Sequence, residues 1–191
     1  MERVKDGDQD AFRVLYQKYR KPIMSFLNQM VRDPAVTDEL FQETFLKLYR
    51  ARDSYEKRAK FSTFLWTIAK NTAFDWSAKK KETLLLGGES DEGGSLPGIE
   101  ESLESELPSA EAALIAHAEE GQVEECMSRL SDRERLVCSL RMNSELSYEE
   151  IAEQTGQPIG TVKTCLYRIR EKLTACLKAK AALNEREGVR R

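Results

Sequence analysis

Ser147 to Leu173 constrains this chain more than any other stretch, because two helix starts and one helix stop fall within it. Ser147 with Glu150 three residues on is a capping box, so a helix begins there. Gly156 supplies a left-handed stop, and Pro158 prevents continuation. Thr161 is placed to cap a second helix. Two helices across a short glycine-containing turn read as a helix-turn-helix, whose second helix can enter the major groove of DNA. At about 100° per residue, Val162, Leu166, Ile169 and Leu173 share one face of that second helix. Lys163, Thr164, Tyr167, Arg168 and Glu171 share the other, and four of these can donate hydrogen bonds to phosphates or base edges. The same pattern also fits an ordinary amphipathic helix with a solvated charged face.

The charge balance adds a second constraint. The net charge of -3 conceals a partition along the 191 residues. Residues 1–81 hold 17 Lys/Arg against 11 Asp/Glu, whereas 82–111 hold nine acids and no base. Residues 160–180 hold six basic residues and one acid. Two basic surfaces separated by an acidic spacer suit a nucleic-acid binder with two contact points. No apolar run approaches the roughly 18 residues of a membrane span, and no signal peptide opens the chain, so a cytoplasmic location is expected. Cysteines at 126, 138, 165 and 176 form no CxxC pair, and His117 has no ligand-spaced companion. Buried reduced thiols are expected rather than zinc, with Cys165 packed at the apolar edge of the second helix. No cofactor is expected.

The front of the chain reads as a small helical bundle. Asp8 caps a helix carrying Phe12, Leu15, Tyr16 and Tyr19, which should end or bend at Pro22. Ile23, Phe26, Leu27, Met30 and Val31 continue the stripe. Asp33-Pro34 opens a third helix to about Arg52, with Leu40, Phe41, Phe45 and Leu48 inward and Asp38, Glu39, Gln42, Glu43 and Lys47 outward. After a polar loop, a helix from Phe61 to about Lys81 turns Leu65, Ile68, Ala69, Thr72 and Trp76 inward. Trp66, Lys70, Asn71, Phe74 and Ser77 fall on its other side. Two exposed rings beside Lys and Asn fit a platform for unpaired bases, each stack contributing about 1–3 kcal/mol. Equally, the rings fit packing against another helix of the bundle.

Glu82 to Pro108 is glycine-, proline- and acid-rich and reads as a flexible linker. Ser109 can cap a helix through Val123 and Met127, and Ser131 with Glu134 opens another carrying Leu136, Val137 and Leu140. The fold expected is therefore all-α, with an N-terminal bundle over 1–81, a linker over 82–108, a four-helix domain containing the helix-turn-helix over 109–180, and a frayed tail over 181–191.

With both halves in view, the chain resembles the bacterial RNA polymerase sigma factors of the extracytoplasmic-function group. Asp38-Glu39-Leu40-Phe41-Gln42-Glu43-Thr44-Phe45 resembles their core-polymerase-binding helix. Phe61-Ser62-Thr63-Phe64-Leu65-Trp66-Thr67-Ile68-Ala69-Lys70-Asn71 resembles the segment that melts and reads the minus-10 element. Leu146-Ser147-Tyr148-Glu149-Glu150-Ile151-Ala152, followed by Gly160-Thr161-Val162-Lys163, resembles the minus-35 reader. The likeness spans about residues 4–178 apart from the linker.

That resemblance implies a non-enzymatic initiation factor. Asp38, Glu39, Gln42 and Glu43 would meet core RNA polymerase at the clamp helices of its largest subunit, with the second-largest subunit also in contact. Asn71 would hold a flipped base, with Trp66, Lys70 and Phe74 alongside. Thr161, Lys163, Thr164, Tyr167 and Arg168 would face the minus-35 promoter DNA. An anti-sigma factor is a further partner that the resemblance brings, and a small-molecule substrate is not. Thr164-Cys165 departs from the family's more usual Ser-Arg and removes one phosphate contact. The linker is long and glycine-rich for the family, and the first motif begins too near the N-terminus to leave room for an autoinhibitory domain. A free-standing helix-turn-helix regulator is the alternative, opposed by the Asp38–Phe45 segment. An enzyme acting on nucleic acid lacks paired carboxylates, a Cys/His pair or a phosphate loop.

Overall fold

The computed structural model describes residues 1–55, 60–85 and 121–188. Among these residues the protein is all-helical, with no strand and no cis peptide bond. The front unit comprises α1 (Glu2–Lys5), α2 (Gln9–Val31), α3 (Pro34–Arg50) and α4 (Phe61–Leu85). The rear unit comprises a helical segment over 121–128, here α5, followed by α6 (Asp132–Asn143), α7 (Tyr148–Thr155) and α8 (Ile159–Gly188). α4 takes in Glu82–Leu85 of the stretch expected to be linker, and the rest of that linker and the helix start expected at Ser109 lie outside the described residues.

The helix starts follow the capping chemistry of the sequence. The Asp8 carboxylate accepts from the Ala11 amide at 2.9 Å, and the Asp33 carboxylate accepts from Ala35 and Val36 at 3.0 and 3.3 Å, with Pro34 in the first turn. Both expected capping boxes, Ser131/Glu134 and Ser147/Glu150, are complete. Each such cap contributes about 1 kcal/mol. Gly156 closes α7 at φ 63°, in the left-handed region where a Cβ is strained.

Three further boundaries differ from expectation. α2 does not end at Pro22 but continues past it to Val31, although proline removes a hydrogen bond and crowds the preceding turn at about 3 kcal/mol. Tyr19, Ile23, Phe26 and Leu27 are all buried around it, and each buried large apolar side chain contributes about 1.5–3 kcal/mol, so packing offsets the break. α8 begins at Ile159, placing Thr161 in the first turn rather than at the cap, because Pro158 already accepts from the Thr161 and Val162 amides. The same helix continues to Gly188, where fraying was expected after Leu183.

The two units pack against each other. Ile23, Phe26 and Leu27 of α2, Leu40, Phe41, Phe45 and Leu48 of α3, and Leu65, Trp66 and Ala69 of α4 share one buried cluster with Leu136, Val137 and Leu140 of α6, Ile151 of α7 and Val162 of α8. A second cluster inside the rear unit joins Met127, Leu130, Cys138 and Ile169, with Val123, Cys165, Leu166 and Leu173 against it. A disulfide between Cys126 and Cys176, 50 residues apart, ties α5 to α8. This corrects the expectation of four reduced thiols: a pair this far apart in sequence leaves no spacing signal. Cys138 and Cys165 are free thiols, the first buried and the second packed as expected. No described helix is long and apolar enough to cross a membrane.

Candidate nucleic-acid interface

Three helical faces remain once the apolar residues have been buried, and each has a distinct chemistry. The first is on α3. Leu40, Phe41, Thr44, Phe45 and Leu48 turn inward, which leaves Asp38, Glu39, Gln42 and Leu46 exposed and Glu43 half-buried. Glu43 pairs with Lys47 at 2.9 Å, and the same ammonium reaches Asp75 at 3.3 Å and Thr72 Oγ1 at 3.3 Å on α4. Lys47 is therefore held above its ordinary pKa by Glu43 and Asp75, against the opposing pull of burial. Asp38, Glu39 and Gln42 make no side-chain hydrogen bond or ion pair among the described residues, so this acidic face is free to meet another surface.

The second face is on α4, and the structure divides the four residues expected there. Asn71 is exposed, and Phe74 is 40% exposed. Trp66 is only 1% exposed, its ring set edge-on to Phe26 with centroids 5.3 Å apart, so the expectation of a surface ring is corrected. The cause is the width of the buried arc. α4 packs against both α2 and α3, so its apolar sector is broader than a one-sided reading allows and takes in Trp66. Lys70 is half-buried, and its ammonium donates to the Gln154 carbonyl at 2.8 Å. That oxygen lies in the last turn of α7, where the helix dipole favours a cation. Burial without a carboxylate partner pulls the Lys70 pKa down.

α7 covers this face through a polar seam. Glu150 accepts from Thr63 Oγ1 at 2.9 Å and from the Lys60 ammonium at 3.4 Å, while also completing the Ser147 cap. The Ser147 amide is the main cause of its depressed pKa, with Thr63 and Lys60 adding to it. Gln154 Nε2 donates to the Thr63 carbonyl at 3.1 Å and to Thr67 Oγ1 at 2.5 Å, but its Oε1 is buried with no partner. Asn143 to Gln29 at 3.1 Å and Asn28 to Glu124 at 3.3 Å extend the seam between the units.

The third face is on α8, and it is open. Val162 and Ile169 are buried and Leu166 and Leu173 packed, so Thr161, Lys163, Thr164, Tyr167 and Arg168 all lie exposed on the far side. Tyr167 is 64% exposed, and the neighbouring Glu171 carboxylate holds its hydroxyl protonated to higher pH. Thr164 Oγ1 is already donated to the Gly160 carbonyl at 2.9 Å, which leaves it an acceptor. The sequence reading missed a neighbouring cluster. The Arg141 guanidinium lies 5.3 Å from the Tyr148 ring centroid and the Lys163 ammonium 5.9 Å from it, so one aromatic ring orients two cations beside α8. Tyr148 and Lys163 both stand in the segment that resembles the minus-35 reader, but Arg141 lies outside it on another helix, and only the fold brings it to them.

No group of His, Cys, Asp and Glu among the described residues could hold a metal ion. The faces offer hydrogen-bond donors, aromatic surface and charge, which suits binding polyanions and an acid-complementary protein surface.

Comparison with known proteins matches these units separately. Residues 15–83 match the model of sigma-70 region 2, and residues 120–173 that of sigma-70 region 4. The chain is 32% identical over 179 residues to the ECF RNA polymerase sigma factor SigW of Bacillus subtilis, covering 93% of this chain and 95% of that protein. It is 34% identical over 177 residues to the ECF RNA polymerase sigma-E factor of Escherichia coli, covering 90% and 88%. The sigma factor RpoE of Bartonella quintana, solved in complex with the anti-sigma factor NepR, shares the fold with a TM-score of 0.65 at 22% identity, over 88% of this chain and 97% of that one.

Proposed function

This chain belongs to the extracytoplasmic-function group of RNA polymerase sigma factors, and from that premise we propose how its three faces divide the work of initiation. The protein associates with core RNA polymerase and directs promoter recognition, strand opening and the start of transcription. It does so by binding alone; bond formation is the polymerase's. The acidic face of α3, with Asp38, Glu39, Gln42 and Glu43, docks on the clamp helices of the largest subunit. Asn71 and Phe74 hold unpaired bases of the opened strand, and Lys70 takes a phosphate. Thr161, Lys163, Thr164, Tyr167 and Arg168 meet the upstream duplex, joined by Arg141 and Tyr148. Trp66 supports the strand-binding helix from inside the core.

The observation that carries this reading is the co-occurrence, on one chain, of an acidic helix face on which Asp38 and Glu39 have no partner among the described residues and two faces rich in cations and aromatic rings. A free-standing regulator has no use for the first. Of the α4 groups that would grip the strand, Asn71 and Phe74 are exposed while Lys70 is held by the Gln154 carbonyl of α7, so engaging Lys70 requires α7 to release it. An anti-sigma protein is a partner of the kind that would hold the units together; RpoE of Bartonella quintana was solved with one.

The test is in vitro transcription with purified core polymerase and this chain on genomic DNA, followed by sequencing of the start sites. Starts sharing an upstream and a downstream element at fixed spacing are expected. Sequence-specific DNA binding by the chain alone, with no stimulation of core polymerase, would select the free-standing regulator instead.

A further inference from the structure

Between the N-terminal turn of α6 and the exposed side of α8 lies a concavity of about 650 Å³. Thr161, Thr164, Cys165, Arg168 and Lys172 line it from α8, at spacings that keep them on one helical stripe, and Arg133 lines it from α6. The charges in it are unequal in availability. Lys172 is paired with Glu134 at 2.6 Å. The other carboxylate beside Arg133 in sequence, Asp132, is paired with Arg135 at 3.0 Å. Arg133 and Arg168 are exposed and have no carboxylate partner among the described residues. Arg133, Arg168 and Lys172 line one concavity together with the Glu134 carboxylate, which acts on the Cys165 thiol against the three cations.

The position of this concavity relative to α8 gives it a meaning. On one side of α8, Arg141 and Lys163 flank the Tyr148 ring. Arg133 stands on the other side, across Thr161 and Thr164. A helix lying in a major groove about 12 Å wide has a phosphate strand on each flank. Contacts to those strands set register, while groups on the helix itself read bases. Cys165, neutral and partly buried at the floor, brings no charge to this flank.

We propose that Arg133 is a phosphate anchor: from α6 it grips the backbone of the duplex strand on that flank and so positions Arg168 at the base edges. The inference rests on α8 being the duplex reader. Arg133 is a positioning residue here, and its signature is electrostatic and independent of sequence.

The experiment uses holoenzyme assembled from the full chain and core polymerase, titrated by fluorescence anisotropy onto duplex carrying the upstream element of a mapped promoter, and onto scrambled duplex, across a salt series. Arg133→Gln is expected to lower the slope of log K against log salt by about one, which is about an eightfold loss at roughly 0.1 M salt, equal on both duplexes. Arg133→Lys is expected to keep the slope, and neither variant should shift thermal unfolding. An unchanged slope in Arg133→Gln, with or without a lowered melting temperature, overturns the anchor. Arg168→Ala separates the two levels. If it abolishes promoter preference while Arg133→Gln does nothing, only the anchor is wrong. If neither variant has an effect, the assignment of α8 fails and takes the anchor with it.

Discussion

The outward sides of α4 and α8 are made of similar groups and meet opposite circumstances. Both carry lysine, an aromatic ring and small hydroxyl or amide side chains. The α8 side is open along its length, with Tyr167 64% exposed. The α4 side is partly covered, with Thr63, Thr67 and Lys70 engaged by Glu150 and Gln154 of α7. A residue pattern therefore states what a face can bind, and packing decides when it is able to. The covering seam is not closed tightly. Gln154 Oε1 is buried without a donor, and such an orphan costs about 1–3 kcal/mol. A seam held by hydrogen bonds with one defect is suited to exchange: an unpaired strand offers the same α4 groups phosphates and base edges in place of Gln154 and Glu150.

The comparison is broken most severely at Trp66. Because the ring is fully buried, Trp66→Ala is expected to destabilise the protein by about 3–5 kcal/mol in denaturant unfolding. Phe74→Ala, at a ring 40% exposed, should change stability by no more than about 0.5 kcal/mol and yet weaken strand binding by about 1–3 kcal/mol. Equal effects of the two variants on stability would erase the distinction between the supporting and the strand-facing ring.

The rear unit is probed next through its disulfide. Cys176→Ser opens a loop of 50 residues and should lower stability by about 2–4 kcal/mol relative to the oxidised protein. Chemical denaturation with and without reductant provides the control, because the variant should be insensitive to reductant. On the open face, Arg168→Ala is expected to weaken promoter-duplex binding by about 1–3 kcal/mol if the guanidinium reads a base edge. An equal loss on promoter and random duplex would make it a phosphate contact.

The smallest effect is expected at the seam. Glu150 has its folded pKa depressed, by the Ser147 amide first and then by Thr63 and Lys60. A carboxyl of this kind stabilises above its unfolded pKa, near 4.3, and that contribution is lost as pH falls through the lower folded value. Acidification below about pH 4 should therefore loosen both the α7 cap and the α4–α7 seam, seen as increased separation of fluorophores placed on the two units. Glu150→Gln should show a looser seam at neutral pH and a weaker response to acid. An unchanged separation in both cases would remove Glu150 from the seam.

Much of this was legible in the residues. Asp8, Asp33, Ser131 and Ser147 mark their helix starts because capping is local chemistry, decided within three or four residues. The inward faces of α3 and α8 follow from a 3.6-residue period because each helix has a plain buried side and a plain wet side. α4 resisted that treatment. It packs against both α2 and α3 and hydrogen-bonds to Glu150 and Gln154 of α7, and no local window can reveal an arc widened by several other helices. The Cys126–Cys176 pair and the Arg141–Tyr148–Lys163 cluster were hidden for the same reason. Pro22 shows the converse: the local rule was sound, and tertiary burial outweighed it.

The division between a front unit that holds an opened strand and a rear unit that holds duplex is tested most directly by permanganate footprinting of holoenzyme on a mapped promoter, alongside a measure of promoter occupancy. Asn71→Ala is expected to occupy the promoter normally and to leave its thymines unreactive, whereas Arg168→Ala is expected to occupy it poorly and to open normally once bound. If both substitutions impair the same step, whichever step that is, the two faces do not divide the work and the account is contradicted.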